Sequence, residues 1–196
     1  MKIIQQGAEA RIYLDKDKII KNRIKKSYRL KQIDEKLRLK RTKSEAKIIQ
    51  KLQNIIPVPK IIKTNKNKKI IIMEHIQGKK LSENLENLEY EKICKLIGEN
   101  LTKLHNLDII HGDLTTSNMI YLENKVYFID FGLGFHSKKI EDKAVDLHLL
   151  KQALNAKHYK IADVCFKLII KYYKPEKYKI IIERIKAIEK RGRYKH

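Results

Sequence analysis

With 196 residues the chain can bury one proper core, as a single domain or two small lobes, which leaves no room for a large catalytic domain plus further modules. Its 45 Lys and Arg against 23 Asp and Glu make a net charge of +22, so a polyanionic partner such as a nucleic acid is an early expectation. Cys94 and Cys165 each fall on an apolar helical stripe and lack CxxC spacing and clustered histidines, the N-terminus lacks an apolar signal segment, and no apolar run approaches membrane-spanning length; neither a disulfide framework, metal binding nor a membrane span is indicated, and a reducing cytoplasm is expected.

Residues 1–4, 11–14 and 19–21 read as strands of an opening meander, broken by Gln5-Gln6-Gly7-Ala8-Glu9-Ala10 and by a Lys/Asp turn. Gly7 is the only glycine of that first loop, which matches neither G-x-G-x-x-G nor a Walker pattern. Lys21 closes the third strand. Residues 31–53 are predicted helical, with Glu45, Ile48, Ile49 and Leu52 on one stripe. An unpaired carboxylate on a buried stripe is strongly unfavourable, so an inward Glu45 demands a cation, and Lys21 is the candidate. At the edge of the stripe it would instead reach solvent or a neighbouring Lys. The basic excess is concentrated here, since residues 16–69 hold 20 basic and 4 acidic side chains.

Pro57-Val58-Pro59 breaks the helix, and residues 60–64 and 69–73 read as two strands around the turn Asn65-Lys66-Asn67-Lys68. The second runs into Met73-Glu74-His75-Ile76-Gln77-Gly78. Residues 88–107 are predicted as an amphipathic helix whose core face is Ile93, Leu96, Ile97, Leu101 and Leu104, with His105 a packed or surface residue rather than a catalytic one.

Next comes His111-Gly112-Asp113-Leu114-Thr115-Thr116-Ser117-Asn118, then two strand-like runs, 119–122 and 126–129, and Asp130-Phe131-Gly132. A hairpin there brings Asn118 and Asp130 side by side. Phosphoryl transfer needs one carboxylate near the incoming nucleophile and hard oxygen ligands that hold magnesium against a triphosphate. Asp113 fits the first role, Asn118 and Asp130 the second. Helical stripes follow at Leu147, Leu150 and Leu154, at Ile161, Val164, Cys165 and Leu168, and at Ile181, Ile185 and Ile188. The chain ends in a basic tail from about residue 189, with Gly192 as a stop signal.

The pair H-G-D-x-x-x-x-N and D-F-G resembles the catalytic and metal loops of the protein-kinase-like fold. That resemblance implies a minimal two-lobed α+β architecture: an N-lobe over residues 1–75, an antiparallel sheet plus a helix, and a reduced, mostly helical C-lobe over 76–196. It implies that Lys21, paired with Glu45, contacts nucleotide phosphates, and that Gly7 belongs to the loop covering them. Glu74 would offer its carbonyl and Ile76 its amide to adenine, with Met73 at the back of the pocket. His111 would buttress the metal loop and Asp146 would tie down the catalytic loop.

Taken with Gln6-Gly7-Ala8-Glu9-Ala10, the basic run 20–29, Arg41-Thr42-Lys43-Ser44-Glu45-Ala46, Glu141-Asp142-Lys143-Ala144-Val145-Asp146-Leu147 and Arg191-Gly192-Arg193, the chain resembles the small atypical kinase subunit of the KEOPS (EKC) complex, the PRPK-like family, and points to an archaeal source. The resemblance implies a cytoplasmic, ATP- and Mg2+-dependent serine/threonine kinase or ATPase that supports threonylcarbamoyladenosine formation in tRNA. It implies a threonylcarbamoyl transferase subunit as partner of the C-lobe and tail, a small regulatory subunit on the N-lobe, and contact of the tail, Arg191, Arg193 and Lys195, with tRNA or the transferase.

Three departures limit the mechanism. Gly112 replaces the arginine that reads a phosphorylated activation loop, and no A-P-E platform for peptides follows. Thr115 replaces a lysine near the transferred phosphate; losing such a charge costs about two to three orders of magnitude in rate. Slow intrinsic turnover, or completion of the site by a partner, is expected. The rival readings are a noncatalytic tRNA-binding scaffold with ATP as structural ligand, and a small-molecule phosphotransferase of the aminoglycoside or choline kinase type, whose large acidic substrate domain this short basic chain cannot hold.

Overall fold

The computed structural model describes residues 1–7 and 9–193, with side chains as far as Lys190. Strands β1 (Lys2–Gln6), β2 (Ala10–Asp15) and β3 (Lys18–Arg23) form the expected meander; helix α1 (Lys31–Leu52) follows, then β4 (Ile61–Asn65) and β5 (Ile70–Glu74). The five make one antiparallel sheet in the order β1-β2-β3-β5-β4. Beyond it lie β6 (Lys79–Lys80), the short α2 (Leu81–Asn84), α3 (Tyr90–Asn106), β7 (Ile109–Ile110), the hairpin β8 (Met119–Leu122) and β9 (Lys125–Phe128), β10 (Phe135–His136), and helices α4 (Ile140–Lys157), α5 (Ala162–Tyr172) and α6 (Tyr178–Arg193).

Side chains alternate across a strand, so Ile19, Lys21 and Arg23 share one face of β3. Lys21 and Arg23 are both buried there, against α1. Ile48, Ile49 and Leu52 of α1 belong to the same apolar cluster as Leu101, Leu104, Leu147 and Leu150 of the helical part. Ile71 and Met73 of the sheet pack with Ala46 of α1 in a second, small cluster. Helix α1 is therefore held by both halves, and its burial couples the sheet to the helices.

The β8–β9 hairpin turns in two residues, Glu123 and Asn124, both at positive φ (48° and 59°), the twist-compatible geometry for a two-residue loop. Lys125, expected in the turn, is already strand, and Ile129, expected in the strand, has left it. Other expectations shift for packing reasons. Val164 is 48% exposed, and α5 buries Ala162, Cys165 and Ile169 instead, one step round the helix. Helix α6 runs through Gly192 to Arg193, so residues 189–193 are helix rather than tail; a helix tolerates one glycine at a cost of about 1 kcal/mol. The side chains of Arg191 and Arg193, and Lys195 as a whole, lie outside the described residues. Cys94 on α3 and Cys165 on α5 are free and fully buried, as their stripes predict. Among the described residues no helix is long and apolar enough to cross a membrane.

Candidate active site

Strand alternation and helix period converge on one buried ion cluster. Glu45 is wholly buried on α1, where its Oε1 accepts from Lys21 Nζ at 2.7 Å and its Oε2 from Arg23 Nη2 at 2.6 Å. Lys21 Nζ also donates to Asp130 Oδ1 at 2.6 Å, which ties the sheet to the loop after β9. The expected Lys21–Glu45 pair is present, and the edge-of-stripe alternative is not. Arg23 is the residue that sequence reasoning missed. Its signal was the i, i+2 spacing from Lys21, which puts it on the same strand face.

Asp130 sits at φ 61°, in the left-handed region that Asp and Asn tolerate better than other side chains. Burial alone would raise its carboxyl; the Lys21 ammonium, the Gly132 N–H at 3.1 Å and the Arg23 charge outweigh that and hold it below the ordinary aspartate range. It is therefore ionised throughout the neutral range.

The catalytic-type loop is pinned from behind. Asp146 of α4 is fully buried; its Oδ2 accepts the His111 N–H at 2.7 Å and its Oδ1 the Gly112 N–H at 2.9 Å. The His111 Nε2–H donates to the Ile129 carbonyl at 3.1 Å and its ring lies 4.6 Å from the Phe131 ring, so the loop and the segment before Asp130 are joined through it. His105 is packed, not surface: it contacts the Tyr173 hydroxyl at 2.7 Å and Asp146 at 3.4 Å, and burial beside Asp146 pushes the Tyr173 hydroxyl pKa up. Gly112 has φ 78°, and a Cβ there would come 2.5 Å from the Leu133 carbonyl oxygen, so no side chain fits. With this backbone the loop has no room for the arginine of the kinase pattern.

At the front of the loop, Asn118 Nδ2 donates to both the backbone carbonyl and Oδ2 of Asp113, each at 2.9 Å. The amide nitrogen is thus committed inward, which leaves Asn118 Oδ1 as a ligand atom. The Ile129 N–H donates to the Asn118 carbonyl at 3.0 Å, so the hairpin brings Asn118 and Asp130 to one end, as its strand pattern requires.

Two adjoining cavities receive these groups. One, of about 380 Å³, is lined by Gly7, Lys21, Asp113 and Asp130; the other, of about 240 Å³, by Met73, Glu74, Ile76, Asn118, Glu45 and again Lys21 and Asp130. Every expected site residue whose side chain is described reaches one or the other. A larger recess of about 530 Å³ behind Pro57 and Tyr127 is reached by only one of them, Glu74. No cluster of three or more His, Cys, Asp or Glu able to hold a metal occurs among the described residues. The oxygens of Asp130 and Asn118 suit Mg2+, which keeps few protein ligands and completes its shell with water and substrate phosphate.

Residues 6–141 match the RIO domain family. Over its whole length the chain is 45% identical to the KEOPS complex subunit Bud32 of Pyrococcus abyssi, covering 97% of that protein. It is 43% identical to a probable bifunctional tRNA threonylcarbamoyladenosine biosynthesis protein of Methanobrevibacter smithii, covering 99% of this chain and 37% of that one. Its fold is similar to that of WaaP in complex with acyl carrier protein (TM-score 0.61, 12% identity, 96% of this chain and 88% of that one). It is likewise similar to the streptomycin–ATP–APH(2")-IIa ternary complex (TM-score 0.60, 14% identity, 94% and 80%). These two likenesses concern the fold alone, the two-lobed kinase-like α+β arrangement. The match over residues 6–141 and the end-to-end identity to the Pyrococcus protein show that the chain belongs to the RIO-domain family, in the group of the KEOPS Bud32 subunits.

Proposed function

We propose that this protein is an ATP- and magnesium-dependent phosphotransferase or ATPase, a cytoplasmic KEOPS subunit that supports threonylcarbamoyladenosine formation in tRNA. The observation that carries the reading is the convergence of Lys21, Glu45, Asp113, Asn118 and Asp130 on adjoining cavities, in a chain 45% identical end to end to a KEOPS subunit. Residues 1–75 act as the N-lobe and 76–196 as the C-lobe, hinged at Glu74–Ile76. Met73 and the backbone of Glu74 and Ile76 hold adenine; Lys21, oriented by Glu45, meets the phosphates under the Gly7 loop. Asn118 and Asp130 hold Mg2+, which neutralises charge on the phosphates when bound. Asp113 accepts the proton of the attacking hydroxyl, of a protein serine or threonine or of water, at its free carboxylate edge. The transferase subunit docks on the C-lobe and tail, the small regulatory subunit on the N-lobe, and the basic surface faces tRNA.

Thr115, Gly112 and the short segment between Gly132 and α4 support slow turnover alone and completion by the partner. The test is ATP hydrolysis with Mg2+, alone and with the transferase subunit, for wild type and Asp113→Ala, together with tRNA modification. Stimulation by the partner that disappears in Asp113→Ala is expected. No hydrolysis under any condition, with tRNA modification intact in Asp113→Ala, would move the assignment to a scaffold.

Gly7 offers a narrower test. Among the described residues, leaving out its chain neighbours, a Cβ there would meet nothing closer than the Ala10 carbonyl oxygen at 3.8 Å, so packing there does not demand glycine. Gly7→Ala is expected to change stability by less than about 0.5 kcal/mol while weakening nucleotide binding. An unaltered nucleotide affinity would mean that the loop does not approach the phosphates.

A further inference from the structure

Arg41 on α1 has no part in the assignments above, yet it lines the same cavity as Gly7, Lys21, Asp113 and Asp130. It stands four residues before Glu45, so the two share one face of the helix, with Glu45 in the buried ion cluster and Arg41 one turn away at the cavity wall. Its Nη1 lies 2.7 Å from Glu9 Oε2, and Arg29 Nη2 lies 3.1 Å from Glu9 Oε1. Glu9 belongs to the β1–β2 connection, two residues after Gly7. Burial would raise its carboxyl, but the two guanidiniums hold it below the ordinary range. A carboxylate gripped by two arginines has the charge and fork geometry with which arginine takes a phosphate.

The site also lacks a cation that its fold ordinarily supplies, since Thr115 occupies the lysine position of the catalytic loop. Arg41 is a cation on that wall in addition to Lys21 and Arg23, which are both committed to Glu45, and it is carried on a helix that packs into the main core. We propose that Arg41 is a phosphate-contacting residue, binding the terminal phosphate of a nucleoside triphosphate, and that Glu9 is the anion that occupies its guanidinium until that phosphate arrives. The inference rests on the cavity being a nucleotide site. It makes Glu9 a competitor of the substrate, built into the covering loop.

The alternative is that the Glu9–Arg41 pair only clamps the loop. In that case removing either partner has the same consequence. Phosphate contact instead demands opposite signs: Arg41→Gln weakens the triphosphate, and Glu9→Gln, by freeing Arg41, tightens it. Calorimetric titration of the full chain with ATP and with AMP in Mg2+ separates the cases, with AMP reporting whether the adenine end of the pocket is intact. Arg41→Gln is expected to weaken ATP about ten- to a hundredfold, with AMP changed less than about twofold and Arg41→Lys intermediate. Glu9→Gln is expected to tighten ATP about two- to fivefold. An unchanged ratio of ATP to AMP affinity in Arg41→Gln, or shifts of the same sign in both variants, would overturn the role of Arg41 while leaving the nucleotide site standing. If the wild-type chain binds neither nucleotide, the site itself is wrong and the inference falls with it.

Discussion

Asp130→Asn is expected to give a folded protein whose ATP turnover falls by about two to three orders of magnitude. The side chain is 47% exposed, and Lys21 keeps Glu45 as partner when Asp130 loses its charge, so the stability change is that of a part-buried charged hydrogen bond, about 1–2 kcal/mol. Asparagine also accepts the φ of 61° at this position, which removes backbone strain as a confounding cause. What is lost is the carboxylate proposed to hold Mg2+. Because the native carboxyl is held low, the deficit should be equal at pH 6 and pH 8. The check is turnover at both values, with a thermal melt to establish folding. Turnover within a few-fold of wild type would remove Asp130 from the metal site.

Glu45→Gln is expected to act through the fold instead. Glu45, Lys21 and Arg23 are all buried, and the carboxylate holds one cation on each oxygen at 2.7 and 2.6 Å. The amide keeps the shape but turns a donor toward one cation and removes the charge that both require. Breaking a buried ion pair from one side costs about 3–5 kcal/mol. In a domain of this size that lowers the melting temperature by roughly ten degrees or more. The loss should fall mainly on Arg23, because Lys21 retains Asp130 at 2.6 Å whereas Arg23, among the described residues, has a buried Nε with no hydrogen-bond partner and no second carboxylate bonded to it. Arg23→Met added to Glu45→Gln is therefore expected to recover part of the stability. Denaturant titration of the single and double variants checks both statements. A single variant within about 1 kcal/mol of wild type would mean that the cluster is solvated.

The two variants separate roles that a sequence motif merges. Lys21, Glu45 and Asp130 form one chain of ion pairs in space, yet the proposed roles divide it: Asp130 is assigned to the chemistry and Glu45 to the scaffold that aims Lys21.

Much of this was legible before any coordinates, and for identifiable reasons. The hairpin of β8 and β9, the loop from His111 to Asn118, and the stripe of Glu45, Ile48, Ile49 and Leu52 rest on spacings that local geometry enforces. A strand alternates every two residues and a helix repeats every 3.6, so side chains a few positions apart must share a face. The need for a cation beside Glu45 followed from the cost of an unpaired buried charge. Two-residue strands such as β6, β7 and β10 carry no period and left no trace. Arg23 was obscured because, among 45 Lys and Arg, residue type alone does not distinguish an inward cation from a surface one.

The sequence by itself thus determined the local elements, the identity of the chemical groups and the order in which they arrive. Only the tertiary structure decided which charges meet: Arg23 with Glu45, Arg41 and Arg29 with Glu9, Asp146 with the amides of His111 and Gly112. These pairs span 20 to 35 residues of chain and join separate elements, and nothing in a local period encodes them. They are selected when α1 is buried between sheet and helices, where water can no longer compensate a charge and each one must find its partner within the protein.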